Sequence, residues 1–111
     1  MEDSQINEIT SVSGSGPAYV YALILSMIKG AVAQGIDKQI ATELVIQTVS
    51  GAVAALEKTG EDPEFALKKI CSPNGTTLAA IDVFEKRGFD QTVADAMLAC
   101  TRRAAEMGKE L

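Results

Sequence analysis

The stretch Ser-Pro-Asn-Gly-Thr-Thr at residues 72–77 holds the residues best suited to bind a small polar ligand. It places three hydroxyl groups, an amide and a glycine around the predicted start of a helix. Free backbone N–H groups and the positive end of the helix dipole form an anion site there, and Gly75 lets a ligand approach the backbone closely. The stretch is therefore a candidate site for a small carboxylate or phosphate. Helix capping by Ser72 or Thr76 is the alternative explanation.

Two other polar patterns are weaker candidates. Residues 14–16, Gly-Ser-Gly, could begin a dinucleotide-binding loop, but the third small position of that fingerprint is Tyr19, Pro17 lacks a backbone donor and no credible strand precedes them. Glu61 and Asp62 are adjacent carboxylates, but Asp62 is a predicted helix cap and no cleft separates the two environments as acid–base catalysis requires. Neither pattern predicts a catalytic site.

Composition argues against several classes of function. The 111 residues carry 10 Lys and Arg against 15 Asp and Glu, for a net charge of −5, and there is no His. Nucleic acids and anionic membranes require a basic face, so neither is an expected partner. Without His, and with only Cys71 and Cys100 as thiols, we predict no metal site and no disulfide framework. We expect two reduced, buried thiols and, since no signal-peptide pattern is present, a cytoplasmic protein.

The turn and cap residues predict an all-α fold of about five helices after a short N-terminal arm at residues 1–12. Asp37, Asp62 and Asp90 are predicted caps. The helices are expected over residues 17–34, 38–58, 63–70, 76–86 and 91–108. The only strand candidate is the short Ile9–Val12 segment.

The first two of these helices are apolar almost all round. The only charge in residues 18–36 is Lys29, and the only charge in residues 41–56 is Glu43. A surface helix normally has a polar face, and a single small domain cannot bury two such helices on every side. A membrane hairpin is disfavoured because charges within the bilayer are costly. We therefore expect other copies of the chain to cover these helices, as in an obligate oligomer.

Four motifs, in their order and spacing, resemble a known family. They are Ser-Gly-Ser-Gly-Pro-Ala at residues 13–18, Thr-Gly-Glu-Asp-Pro at 59–63, Ser-Pro-Asn-Gly-Thr-Thr at 72–77 and Arg-Gly-Phe at 87–89. Together they resemble the C-terminal domain of pyrroline-5-carboxylate reductase, and the similarity covers essentially residues 8–108. The first and third motifs are the most specific.

The resemblance implies an oxidoreductase that reduces pyrroline-5-carboxylate to proline with NADPH or NADH, the last step of proline biosynthesis. Members of the family join an N-terminal Rossmann domain to a helical C-terminal domain of the 6-phosphogluconate-dehydrogenase C-terminal-like type. That domain interlocks with a second subunit, and the dimers often assemble into decamers. For this chain the resemblance implies a dimerisation and substrate-site domain over residues 13–111.

The resemblance also gives the 72–77 stretch a ligand. It implies that the carboxylate and ring of the cyclic imino acid are held by Ser72, Asn74, Gly75, Thr76 and Thr77. Thr77 matches the family threonine close to the ring nitrogen, where its hydroxyl can hydrogen-bond or help to protonate the imine, so it is the candidate catalytic residue. The family usually has Gly where this chain has Asn74, so the backbone of the loop is expected to differ.

The nucleotide-binding domain of the family has no counterpart in this chain, so no cofactor-binding residues are expected here. Hydride transfer requires a nicotinamide held in near-attack geometry. The chain alone is therefore expected to form a homodimer, but not to turn over. The alternative function is a stand-alone helical oligomerisation module that has kept the scaffold without the chemistry. The two differ in whether a cyclic imino acid or proline binds at residues 72–77.

Overall fold

The computed structural model describes residues 5–110, which form helices joined by short turns. The helices are α1 (Ile6–Ile9), a π-helical turn (Thr10–Gly14), α2 (Gly16–Ala33), α3 (Lys38–Thr59), α4 (Pro63–Ile70), α5 (Thr76–Lys86) and α6 (Phe89–Glu110). No strand is present between residues 5 and 110. The all-α prediction is therefore confirmed, with α2 to α6 as the five expected helices.

The N-terminal arm has more regular structure than its sequence suggested. Residues 1–4 lie outside the described part of the chain, but residues 6–14 are helical, and the strand candidate Ile9–Val12 lies within them. The side chain of Thr10 reinforces this helix, because its Oγ1 donates to the carbonyl of Ile6 at 2.9 Å. The spacing of apolar residues does not predict this helix, because the segment is short and changes from α to π geometry after one turn.

Two of the three predicted caps are confirmed. Asp37 and Asp62 precede α3 and α4, and the Oδ2 atom of each accepts hydrogen bonds from the N–H groups two and three residues later, at 3.1 and 3.3 Å. The prediction for Asp90 was wrong, because α6 begins at Phe89 and Asp90 lies in its first turn. There its charge still complements the positive end of the helix dipole.

The chain divides into two compact units, and the first comprises residues 1–20 and 81–111. In this unit α6 contacts α1 and the π-helical turn. Ser11 is the buried polar residue here, and its hydroxyl donates to the carbonyl of Glu8 at 2.6 Å. The rings of Phe84 and Phe89 lie 4.9 Å apart, on either side of the turn that joins α5 to α6.

The second unit comprises residues 21–80 and has few buried apolar side chains. Its buried residues are Ala41 and Val45, both on α3. Leu25 on α2 and Ile46 and Val53 on α3 are 52 to 53% exposed. As the sequence analysis anticipated, one copy of the chain leaves apolar faces of both helices uncovered.

A shallow groove of about 320 Å³ marks this uncovered surface in the second unit. Its lining includes Met27 and Ala31 from α2 and Leu44 and Val45 from α3. By length and composition alone, the helical stretches Ile6–Ala33 and Lys38–Thr59 are also long and apolar enough to cross a membrane.

The exposed face of α3 can be tested by placing a charge on it. We expect Ile46→Glu to weaken self-association by about tenfold or more, equivalent to about 1.4 kcal/mol, because an unpaired charge is costly in an apolar interface. Sedimentation equilibrium measures the dissociation constant. Gln47→Glu, which adds the same charge at the next residue, is the control. If the wild-type chain is a stable folded monomer at micromolar concentration, the prediction of self-association is wrong.

The cap of α4 can be tested by its effect on stability. We expect Asp62→Ala to lower the free energy of unfolding by about 1 kcal/mol, because two N–H groups lose their acceptor. Asp62→Asn retains a side-chain oxygen at the same position and should cost much less. Urea denaturation followed by circular dichroism measures both. Equal losses in the two variants would show that the carboxylate charge, not the capping geometry, is what matters.

Candidate functional site

Helix α4 leads directly into the candidate site. The helix begins at Pro63, which fits the first position because its missing N–H would have no partner there. It ends at Ile70. The N–H of the next residue, Cys71, donates to the carbonyl of Leu67 at 3.2 Å, and the backbone of Cys71 is extended, with φ −82° and ψ 94°. Pro73 then prevents an easy continuation of the helix. The end of α4 therefore sets where the 72–77 stretch starts.

Residues 72–75 form a tight turn. The N–H of Gly75 donates to the carbonyl of Ser72 at 2.9 Å. Pro73 occupies the second position, and Asn74 occupies the third with a φ of +58°, the combination favoured in a type II turn. Among the described non-glycine residues, Asn74 is the one with positive φ. Asn tolerates this left-handed region better than most residues, so Asn74, where the resemblance leads us to expect Gly, is compatible with a tight turn.

Gly75 is required by a close approach rather than by its own φ. A Cβ atom built on Gly75 would lie 2.6 Å from the Oγ atom of Ser72 and 3.0 Å from its carbonyl oxygen. The Ser72 hydroxyl could rotate away from such a Cβ, but the Ser72 carbonyl oxygen would have to move by a few tenths of an ångström, so a larger residue at position 75 would disturb Ser72. The structure thus holds Ser72 directly against the backbone of Gly75.

Helix α5 begins immediately after this turn with Thr76 and Thr77. Thr76 is exposed and Thr77 is half-buried. The N–H of Ala79 donates to the carbonyl of Gly75 at 3.3 Å, and the N–H groups before it have no acceptor within the helix. The structure therefore places all five predicted site residues within one turn and the first turn of the following helix.

The described residues contain no group of three His, Cys, Asp or Glu side chains that could hold a metal ion. The polar groups at residues 72–77 are hydroxyls, an amide and backbone N–H groups, which suit a small carboxylate better than a cation.

A second polar cluster, which the sequence analysis missed, lies in the first unit. Cys100 on α6 donates from its Sγ to the Oγ of Ser15 at 3.2 Å, across 85 residues of sequence. The hydroxyl oxygen of Tyr19, one turn further along α2, is buried and has no well-formed hydrogen bond to any described residue. The spacing of Ser15 and Tyr19 puts them on one face of the chain, but nothing in the sequence pairs that face with Cys100.

The cluster changes the acidity of both titratable groups. The hydroxyl of Ser15, and after it that of Tyr19, lowers the pKa of Cys100 by stabilising the thiolate, while burial acts in the opposite direction. The neighbouring Cys100 raises the pKa of Tyr19, and burial adds to that effect. Both cysteines are free thiols, as expected, but they are half-buried rather than fully buried.

Comparison with known protein families identifies the family of this chain. Residues 3–107 match the family model described as pyrroline-5-carboxylate reductase dimerisation. The pyrroline-5-carboxylate reductase of Synechocystis is 40% identical over 108 residues, which are 97% of this chain and 40% of that protein. The Arabidopsis thaliana enzyme of the same name is 35% identical over 108 residues, which are 97% of this chain and 39% of that protein. The chain thus spans about 40% of the length of these relatives.

Solved structures agree with this result. A Plasmodium falciparum pyrroline carboxylate reductase with NADP bound superposes with a TM-score of 0.93 and 32% identity, over 97% of this chain and 44% of that one. A pyrroline-5-carboxylate reductase from Coxiella burnetii gives a TM-score of 0.91 and 33% identity, over 96% of this chain and 39% of that one. With the helical fold and the motif-bearing turn described above, these matches show that the chain belongs to the pyrroline-5-carboxylate reductase dimerisation family.

Proposed function

We propose that this chain is the dimerisation and substrate-site part of a pyrroline-5-carboxylate reductase. The complete enzyme would be an oxidoreductase that reduces pyrroline-5-carboxylate to proline with NADPH or NADH. The observation that carries this proposal is the close-packed turn at residues 72–75, which leads into the free N–H groups at the start of α5. A helix start of this kind suits the carboxylate of a cyclic imino acid.

Each residue of the 72–77 stretch has a proposed role. The hydroxyls of Ser72 and Thr76, the side chain of Asn74 and the backbone of Gly75 bind the substrate carboxylate and ring. The hydroxyl of Thr77 lies near the ring nitrogen and acts as the catalytic group, by hydrogen-bonding to the imine or helping to protonate it. Its half-buried position at the start of α5 restricts the hydroxyl more than full exposure would.

In the complete enzyme the cofactor supplies the hydride, and the residues that bind it are proposed to lie outside this chain. The part that these 111 residues play is to hold the imino acid and to bring two subunits together. Hydride transfer depends on the geometry between the two reactants, so a turn closed by the bond from the Gly75 N–H to the Ser72 carbonyl suits that role.

The partner that covers α2 and α3 is proposed to be a second copy of this chain. Membership of a dimerisation family supports homo-oligomerisation, and the exposed apolar faces of α2 and α3 supply the surface for it. The proposed unit is a homodimer, with a decamer as the higher assembly that the family resemblance implies. We propose a cytoplasmic location, with neither nucleic acid nor a membrane as a partner.

The substrate site can be tested by titration with proline, the product. We expect the 111-residue chain to bind proline, and Thr77→Ala to weaken binding about fivefold, because the variant loses one hydrogen bond worth about 1 kcal/mol. Isothermal titration calorimetry gives both dissociation constants. Thr48→Ala is the matched control, since the Thr48 hydroxyl donates to the carbonyl of Leu44 within its own helix. Absence of binding by the wild-type chain would favour the non-catalytic oligomerisation module.

Catalysis can be tested in a chimaera. We expect no reduction of pyrroline-5-carboxylate by this chain alone, and NADPH-dependent reduction when it replaces the matching 108 residues of the Synechocystis enzyme. Thr77→Ala in the chimaera should lower kcat about 100-fold if the hydroxyl assists proton transfer. A chimaera that folds and binds NADPH but reduces no substrate would contradict the proposal.

A further inference from the structure

An ion pair joins the two ends of α4. Lys69 in the last turn donates from its Nζ to the Oε1 of Glu61, which lies before the first residue of the helix, at 2.5 Å. The Lys69 and Glu61 side chains are 50% and 27% exposed, so the pair is partly shielded from solvent. Shielding strengthens a charge pair relative to one that is fully in water.

Both members of the pair are also held by other groups. The N–H of Glu61 donates to the Oγ1 of Thr59, the last residue of α3, at 3.2 Å. The Nζ of Lys69 lies 5.3 Å from the centre of the Phe65 ring, within reach of a cation–π interaction. The pair therefore connects the last turn of α4 to Glu61 in the short connection between α3 and α4, whose backbone is itself bonded to Thr59.

A second ion pair on the same helix lacks this connection. Lys68 and Glu64 are 3.2 Å apart and lie four residues apart within α4, with side chains 73% and 74% exposed. This pair can support the helix, but it does not link the helix to any other element. It is therefore an internal control for the general effect of a charge on α4.

The position of α4 matters because the candidate site begins at its end. Ser72 is three residues after Lys69, and the 72–75 turn follows without an intervening element. An eight-residue helix is too short to be stable alone, so external contacts must fix it. A shift of the last turn of α4 would move Ser72, and with it the whole 72–75 turn, away from the start of α5.

We propose that Glu61 and Lys69 are positioning residues, which brace α4 so that the 72–75 turn is held in its binding geometry. This inference rests on the proposed function, because it assigns the brace to the proline site. Both residues lie outside the 72–77 stretch. Their effect passes through α4 to the Gly75 N–H and its bond to Ser72.

The test compares the single variants Glu61→Gln and Lys69→Met, the double variant and the control Glu64→Gln. Lys69→Met keeps a flexible stem over Phe65 while removing the charge. NMR hydrogen exchange of the Gly75 amide reports on the turn directly, and titration with proline reports on the site. For a partly exposed pair we expect each single variant to raise the exchange rate and the proline dissociation constant about threefold.

The double variant should lose no more than either single variant, because both remove the same interaction. Glu64→Gln should leave the exchange rate and the proline affinity unchanged. Additive losses, equal effects of Glu64→Gln, or wild-type behaviour of Glu61→Gln would overturn the brace. If the wild-type chain does not bind proline, the proposed function fails, and the exchange rate of the Gly75 amide still decides whether the pair holds the turn.

Discussion

Coverage of apolar surface is the physical requirement that shapes this fold most. Hydrophobic burial is the main favourable contribution to folding, yet within the second unit α3 buries only Ala41 and Val45 while Ile46 and Val53 stay half exposed. An ordinary surface helix avoids this difficulty with a polar face. The apolar faces of α2 and α3 stay exposed instead, and membership of a dimerisation family supports homo-oligomerisation as the reason for this exposure.

The candidate site depends on contacts of a different kind, which are local and polar. The carboxylate of Asp62 starts α4, the backbone bond between Gly75 and Ser72 closes the next turn, and Thr76 starts α5. These elements are short, so each depends on its caps and on a few side chains rather than on a large core. The geometry of the candidate site is therefore determined by contacts within α4, the 72–75 turn and the start of α5.

The cluster of Ser15, Tyr19 and Cys100 shows a third kind of interaction, in which distant segments meet. The Ser15 hydroxyl lies 3.2 Å from the Cys100 thiol and lowers its pKa, although 85 residues separate the two. In the first unit this contact links the start of α2 to α6. The acidity of a thiol thus depends on such a neighbour, which its position on a helical stripe does not reveal.

Most of the helical fold and the composition of the candidate site could be predicted from the amino-acid sequence alone. Asp37 and Asp62 were identifiable as caps because capping depends on a few consecutive residues, and residues 72–77 stood out because a turn and a helix start have local signatures. The short helix over residues 6–14 was missed because one α-helical turn followed by a π-helical turn has too little regular periodicity to recognise. The pairing of Lys69 with Glu61 and the contact of Cys100 with Ser15 became evident only in the folded chain. Those contacts depend on how the chain is folded in space, and no local sequence rule encodes the distances between side chains that separate turns bring together.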